Sequence, residues 1–132
     1  MSNDQRDVTR TEATTWGNST DAGSQERLNP RAANQAVLEM VTTWEGVEVS
    51  EHRFGGVEFR VGRRKIGHLH ASFADLPFPR RKRDELVAAR RARPHHIYPD
   101  SGWVTVPMRT NEEVKNVIEL LRENYMRATA VH

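Results

Sequence analysis

Two alternating runs, Val57-Glu58-Phe59-Arg60-Val61 and Ile66-Gly67-His68-Leu69-His70, stand on either side of a short basic link and predict a β-hairpin. Its register constrains the fold more than any other local feature, because side chains alternate between sheet faces and a slip of one residue turns every one of them over. A three-residue loop of Arg63, Arg64 and Lys65 sets Phe59 opposite Leu69 and Val61 opposite Gly67, gathering the apolar residues on one face. Glu58, Arg60, His68 and His70 then share the other. A two-residue loop at Arg63-Arg64 would instead set Phe59 opposite His68 and bury both histidines. The first register is expected, although its loop holds no glycine and it leaves Ile66 on the polar face.

The flanking sequence supplies helices. Asn29 before Pro30 reads as an N-cap with proline in the first turn, and Val37, Val41 and Trp44 recur at helical spacing, so a helix is expected over about 30–44. Gly46 ends it, Val47 to His52 alternates like a strand, and Gly55-Gly56 marks a turn or bulge. A second helix is expected from Pro79 to about Arg91. Pro94, Pro99, Asp100 and Gly102 bracket a short strand in which Ile97 points inward and His96 and Tyr98 outward, and Trp103 to Met108 alternates again. Thr110 with Glu113 forms a capping box for a last helix with Val114, Val117, Ile118, Leu121 and Tyr125 on one face. Met40 and Met108 read as core filling, and Tyr125 as a packing residue whose hydroxyl reaches a polar partner.

The order helix, strands, helix, strands, helix predicts an α+β fold, an antiparallel sheet with helices packed on one face. Residues 1–28 are polar with almost no aliphatics and read as a disordered tail, leaving 29–132 as a single domain. The absence of cysteine removes disulfides, thiolate zinc sites and thiol nucleophiles. No apolar run is long enough to span a membrane and the N-terminus lacks a signal-like hydrophobic segment, so a cytoplasmic protein with no membrane partner is expected.

Charge is uneven behind the formal net of +2. Residues 60–93 hold eleven Lys and Arg against three Asp and Glu, whereas residues 1–28 hold three against five. Arg63, Arg64 and Lys65 on the hairpin, with Arg80, Arg81, Lys82 and Arg83 in the first turn of the second helix, therefore offer phosphate contacts to nucleic acid, which Arg90, Arg91 and Arg93 could extend. The Arg80 to Arg83 cluster has the wrong sign for a helix N-terminus, a local penalty that can mark a partner site.

Parity across the strands collects Glu58, Arg60, His68, His70, His96, Tyr98, Trp103 and Thr105 on one sheet face, and this His/Trp-rich face is the candidate site for a small ligand or a partner protein. No cofactor is expected. Two alternatives use the same residues. His68 and His70, one apart on a strand, could hold zinc, iron or another divalent ion with His96 or Glu58. A histidine paired with Glu58 or Asp100 could act in acid/base chemistry, with Arg60 binding an anionic substrate. Against an enzyme, there is no P-loop or dinucleotide fingerprint, and neither Ser72 nor Ser101 lies in a GxSxG elbow. No catalytic residue is assignable.

The words RFGGVEF, IGHLH, ADLPFP, PHHIYPDSGW and LLRENY, spread over about residues 37–128, resemble the small proteins grouped under the luciferase domain name. A more distant resemblance is to MmcQ/YjbR-like proteins, whose fold is frataxin-like. These resemblances imply an α+β sandwich with helices on one sheet face, and bring no established catalytic residues. They do not imply light production, since the chain is too short for the (β/α)₈ barrel of flavin luciferases and carries no flavin motif. Frataxin's acidic surface is absent as well, the first helix carrying only Glu39 and Glu45 near its end.

Overall fold

The computed structural model describes residues 26–51 and 56–130. In chain order these form α1 (Pro30–Val41), β1 (Val47–Glu51), β2 (Val57–Val61), β3 (Arg64–Leu69), β4 (Phe73–Pro77), α2 (Arg80–Ala88), β5 (Arg93–Pro94), β6 (Trp103–Pro107) and α3 (Asn111–Ala130). Every strand pairing is antiparallel, in the order β1-β2-β3-β4-β6-β5. The fold is the expected α+β arrangement. Its core lies between the sheet and the helices, with Phe59, Leu69, Ala74, Leu76, Val104 and Val106 fully buried alongside Val37 and Val41 of α1 and Val117, Leu120 and Leu121 of α3.

The hairpin corrects the expected register while keeping its consequence. Phe59 lies opposite Gly67, not Leu69, and Val61 opposite Arg64, not Gly67. The turn is the pair Gly62-Arg63, and Gly62 takes the positive φ of +62° that a type II′ turn places on its first central residue. Such a short turn would by itself invert the faces. Ile66 prevents this, because it is an extra residue between the Phe59–Gly67 and Arg60–Lys65 pairs, a bulge that restores the parity. Beyond the bulge the strands are displaced by two residues from expectation, which leaves the faces unchanged. Ile66 itself is buried among apolar side chains and is not on the polar face.

Asn124 of α3 pins this bulge. Its amide donates to the Ile66 carbonyl at 3.0 Å, on the irregular stretch of β3, and to the Pro77 carbonyl at 2.9 Å. Gly67 lets the helix come this close, since a Cβ there would meet the Leu121 side chain at 2.4 Å.

Helix boundaries follow local chemistry. Asn29 caps α1 through Ala32 N–H at 2.8 Å, as expected. The helix stops at Val41, three residues early, where the Thr42 and Thr43 hydroxyls donate back to the Leu38 and Met40 carbonyls. Helix α2 is also shorter than expected, with Pro79 as its cap and Arg90 at φ +61° beyond its end. Half of the capping box forms: Thr110 Oγ accepts from Glu113 N–H at 3.1 Å, while the Glu113 carboxylate takes the Arg109 N–H and guanidinium. Tyr125 donates its hydroxyl to the Glu45 carbonyl at 2.6 Å, as its position suggested.

Three expectations fail, and one strand was not foreseen. Met40 is 47% exposed and fills no core, and Ile97 is 62% exposed and points away from it. Residues 95–98 form no strand, β5 being only Arg93–Pro94, while β4 has no counterpart among the expected strands. Residues 1–25 of the expected tail lie outside the described residues. Leu28, within that expected tail, donates its N–H to the Arg109 carbonyl at 2.8 Å, and Arg27 bridges to Thr110.

Candidate functional site

The face of the sheet away from α1 and α3 carries a continuous polar row. Across the strands, Ser50 is opposite Glu58, Glu58 opposite His68, His68 opposite Asp75, and Asp75 opposite Thr105. Asp75 is its centre. Ala74 and Leu76 point into the core, so alternation sends the Asp75 side chain to the polar face, where only 6% of it is exposed. A carboxylate buried to that degree must be hydrogen-bonded. Its Oδ1 accepts the Thr105 hydroxyl at 2.8 Å, and its Oδ2 lies 3.0 Å from His70 Nε2 and 3.2 Å from His96 Nε2.

A third imidazole completes the surround. His95 Nδ1 accepts the backbone N–H groups of Ile97 and Tyr98 at 3.1 and 3.0 Å. A ring nitrogen that accepts carries no hydrogen, so the hydrogen of His95 sits on Nε2, which lies 3.4 Å from Asp75 Oδ2. Adjacent histidines on a strand would point to opposite faces. These two reach one carboxylate because the chain leaves β5 at Pro94 and turns.

Aromatic rings form the walls. Phe73 stacks on His70 with centroids 4.4 Å apart and meets His96 edge-on at 5.3 Å. Trp103 approaches His95 edge-on at 6.3 Å, and Tyr98 stacks on the same ring at 5.7 Å. The β3–β4 turn that carries His70 is tied to α1 by Asn34, whose amide donates to the carbonyls of His70 and Ala71.

The other end of the row is an ion cluster. Glu58 is bonded by Arg60 and lies 3.7 Å from Lys65 Nζ. Burial by itself would raise the Glu58 carboxyl, but the Arg60 hydrogen bond and the charges of Lys65, Arg60 and His68 hold it below the usual value. His68 connects the two ends, its ring 4.3 Å from that of His70.

Of the expected site residues, His70 and His96 thus meet at Asp75, with His68 beside His70 and Trp103 edge-on to His95. Glu58 and Arg60 stand at the far end of the row, and Tyr98 is largely exposed at the outer edge. Glu58 stands opposite His68, and the carboxylate that meets His70 and His96 is Asp75. Of the expected metal set, His70 and His96 come together with Asp75, their ligand atoms all within 4.8 Å of one another, and His68 stands beside His70. Asp75 and His95 are the residues that sequence reasoning missed. Alternation within Ala74-Asp75-Leu76 was the available signal, and it needs β4 to be identified as a strand.

The basic residues are dispersed. Lys82 pairs with Glu123, Arg83 with Asp84, and Arg91 with Glu119 and Glu123, while Arg60 and Lys65 are taken by Glu58. Arg63 and Arg64 occupy the hairpin tip, and Arg80 and Arg81 are exposed at the start of α2. A cleft of about 760 Å³ between α2, β5 and α3 does not include the imidazoles. It mixes Arg90, Arg91, Arg93 and Lys115 with Glu112, Glu113 and Glu119, so its charges already answer one another.

No described helix is long and apolar enough to cross a membrane. No curated protein and no solved structure matches the chain, and nothing in these comparisons supports the MmcQ/YjbR likeness. Residues 63–124, from the hairpin tip through β3, β4 and β6 into α3, match the family model described as Luciferase domain, the family to which the sequence motifs pointed.

Proposed function

We propose that the polar sheet face around Asp75 is a small-ligand site, in which His70 and His96 present imidazoles at an open mouth and Phe73 and Trp103 supply apolar walls. The observation that carries this reading is the convergence of three imidazole nitrogens on one oxygen of a buried carboxylate. Packing alone does not call for it. Asp75 Oδ2 has two lone pairs, and Thr105 already serves Oδ1, so three imidazoles exceed what is needed to bury the charge. Two of those rings also keep contact with solvent, His70 at 30% and His96 at 43% exposed side chain. Rings held by a fixed carboxylate yet open to water are preorganised for a ligand, because their orientation is settled before binding.

The ligand class this favours is a small polar aromatic molecule that hydrogen-bonds to imidazole and lies against Phe73 and Trp103. A thermal-shift panel of hydroxy-aromatic and aromatic carboxylate fragments tests it with the full chain. Stabilisation is expected in the parent protein and lost in His70→Ala, whose own melting temperature stays close to the parent's. A panel that stabilises both proteins equally, or neither, would sink the reading.

A further inference from the structure

We infer that the same face binds one divalent transition-metal ion through His70 Nε2, Asp75 Oδ2 and His96 Nε2, with Thr105 bonded to the other carboxylate oxygen and His95 close by. This deepens the ligand-site reading and rests on it. Zinc-like ions bond to imidazole nitrogen and carboxylate oxygen at about 2.0–2.2 Å, so ligand atoms around one tetrahedral ion stand about 3.3 Å apart. The two separations from Asp75 Oδ2, 3.0 Å to His70 and 3.2 Å to His96, already have that size. The His70 and His96 rings stand edge to face with centroids 6.2 Å apart, and the three ligand atoms all lie within 4.8 Å of one another. Two imidazoles and one carboxylate are a borderline-soft donor set that suits Zn²⁺, Co²⁺, Ni²⁺ or Fe²⁺ over the oxygen-seeking Mg²⁺ and Ca²⁺.

The support around the ligands distinguishes this set from three polar residues that happen to meet. His95 cannot offer Nε2 as a ligand, since its Nδ1 accepts two backbone N–H groups and its hydrogen therefore sits on Nε2, facing Asp75. Thr105 fixes Oδ1. That hydrogen bond sets the carboxylate plane, the role that an outer partner plays in metal sites, while His95 Nε2 stands 3.4 Å from Oδ2. Phe73 packs against both ligand imidazoles and limits how far they swing. Three protein ligands leave at least one coordination position toward solvent, on the side where His70 and His96 are exposed.

The test is titration of the chelator-stripped full chain with Co²⁺, followed by visible absorption, with Zn²⁺ competition by calorimetry. One equivalent is expected to bind with the intense ligand-field bands of a four- or five-coordinate ion, and Zn²⁺ is expected to displace it. His70→Ala and His96→Ala should each weaken binding by more than about tenfold, with unchanged circular dichroism. Absence of Co²⁺ binding at micromolar protein, or equal binding by the His70→Ala/His96→Ala double variant, overturns the metal inference. If the fragment panel still stabilises the parent in that event, the ligand-site reading survives alone; if it does not, both fall.

Discussion

Replacing Asn124 with Leu tests the link between the hairpin bulge and the orientation of the histidines. The Asn124 amide satisfies the carbonyls of Ile66 and Pro77, and the Ile66 carbonyl belongs to the residue that is extra in β3. Leaving a buried carbonyl without a donor costs about 1–3 kcal/mol. The Ile66 bond is buried and takes that range in full, whereas the Pro77 bond is part-buried and water recovers roughly half of its loss. Leucine adds apolar contact, which at about 25 cal/mol per Å² returns on the order of 1 kcal/mol. The net loss is about 0.5–3.5 kcal/mol. Urea unfolding followed by circular dichroism would show it as a midpoint lower by about 0.3–2.3 M, given a slope near 1.5 kcal/mol/M for a domain of this size. Hydrogen exchange should also quicken selectively in β3. A midpoint within about 0.3 M of the parent would refute the claim that Asn124 holds the bulge.

Gly67→Ala drives a Cβ to within 2.4 Å of Leu121, and because that leucine is fully buried the strain should cost about 1–3 kcal/mol in the same assay. Gly56→Ala should be at least as damaging, since φ is +86° and the added Cβ would lie 2.3 Å from the Leu69 carbonyl oxygen, a backbone atom with little room to move. The Glu113 carboxyl is held below its usual value first by the Arg109 hydrogen bond, against the opposing effect of burial. A lowered folded value means stabilisation that is present above the ordinary carboxylate range and lost as acid protonates the folded state. The parent should therefore lose more stability than Glu113→Gln between about pH 5 and pH 3, and parallel acid unfolding curves would contradict this.

The faces of the hairpin were legible because the sequence alternates strictly from Val57 to Val61 and burial of Phe59 and Leu69 dominates any arrangement. Its register was not, because the turn and the bulge are coupled. Gly62 favours a tight turn that alone would expose the wrong face, and the extra residue at Ile66, whose carbonyl Asn124 of α3 takes up, restores it. Helix α1 was read correctly at its capped start and wrongly at its end, where threonine hydroxyls compete with a pattern that continues to Trp44. At the candidate site the histidines stood out by type and spacing, and Asp75 did not. It lies in a five-residue strand that ends in proline, and its meaning depends on a partner 21 residues away, His96, brought in by an irregular loop. That loop also made His95 unreadable, because strand alternation fails where there is no strand.

The most direct measurement on the site is mapping of backbone amide and histidine-ring NMR shifts in the full chain during titration with a stabilising hydroxy-aromatic fragment. Shifts should centre on His70, Phe73, Asp75, His96, Trp103 and Thr105, and should vanish in His70→Ala while the remaining spectrum is preserved. Perturbations centred instead on Arg90, Arg93, Pro107 and Asn116, in the cleft between α2, β5 and α3, would contradict a ligand site at Asp75.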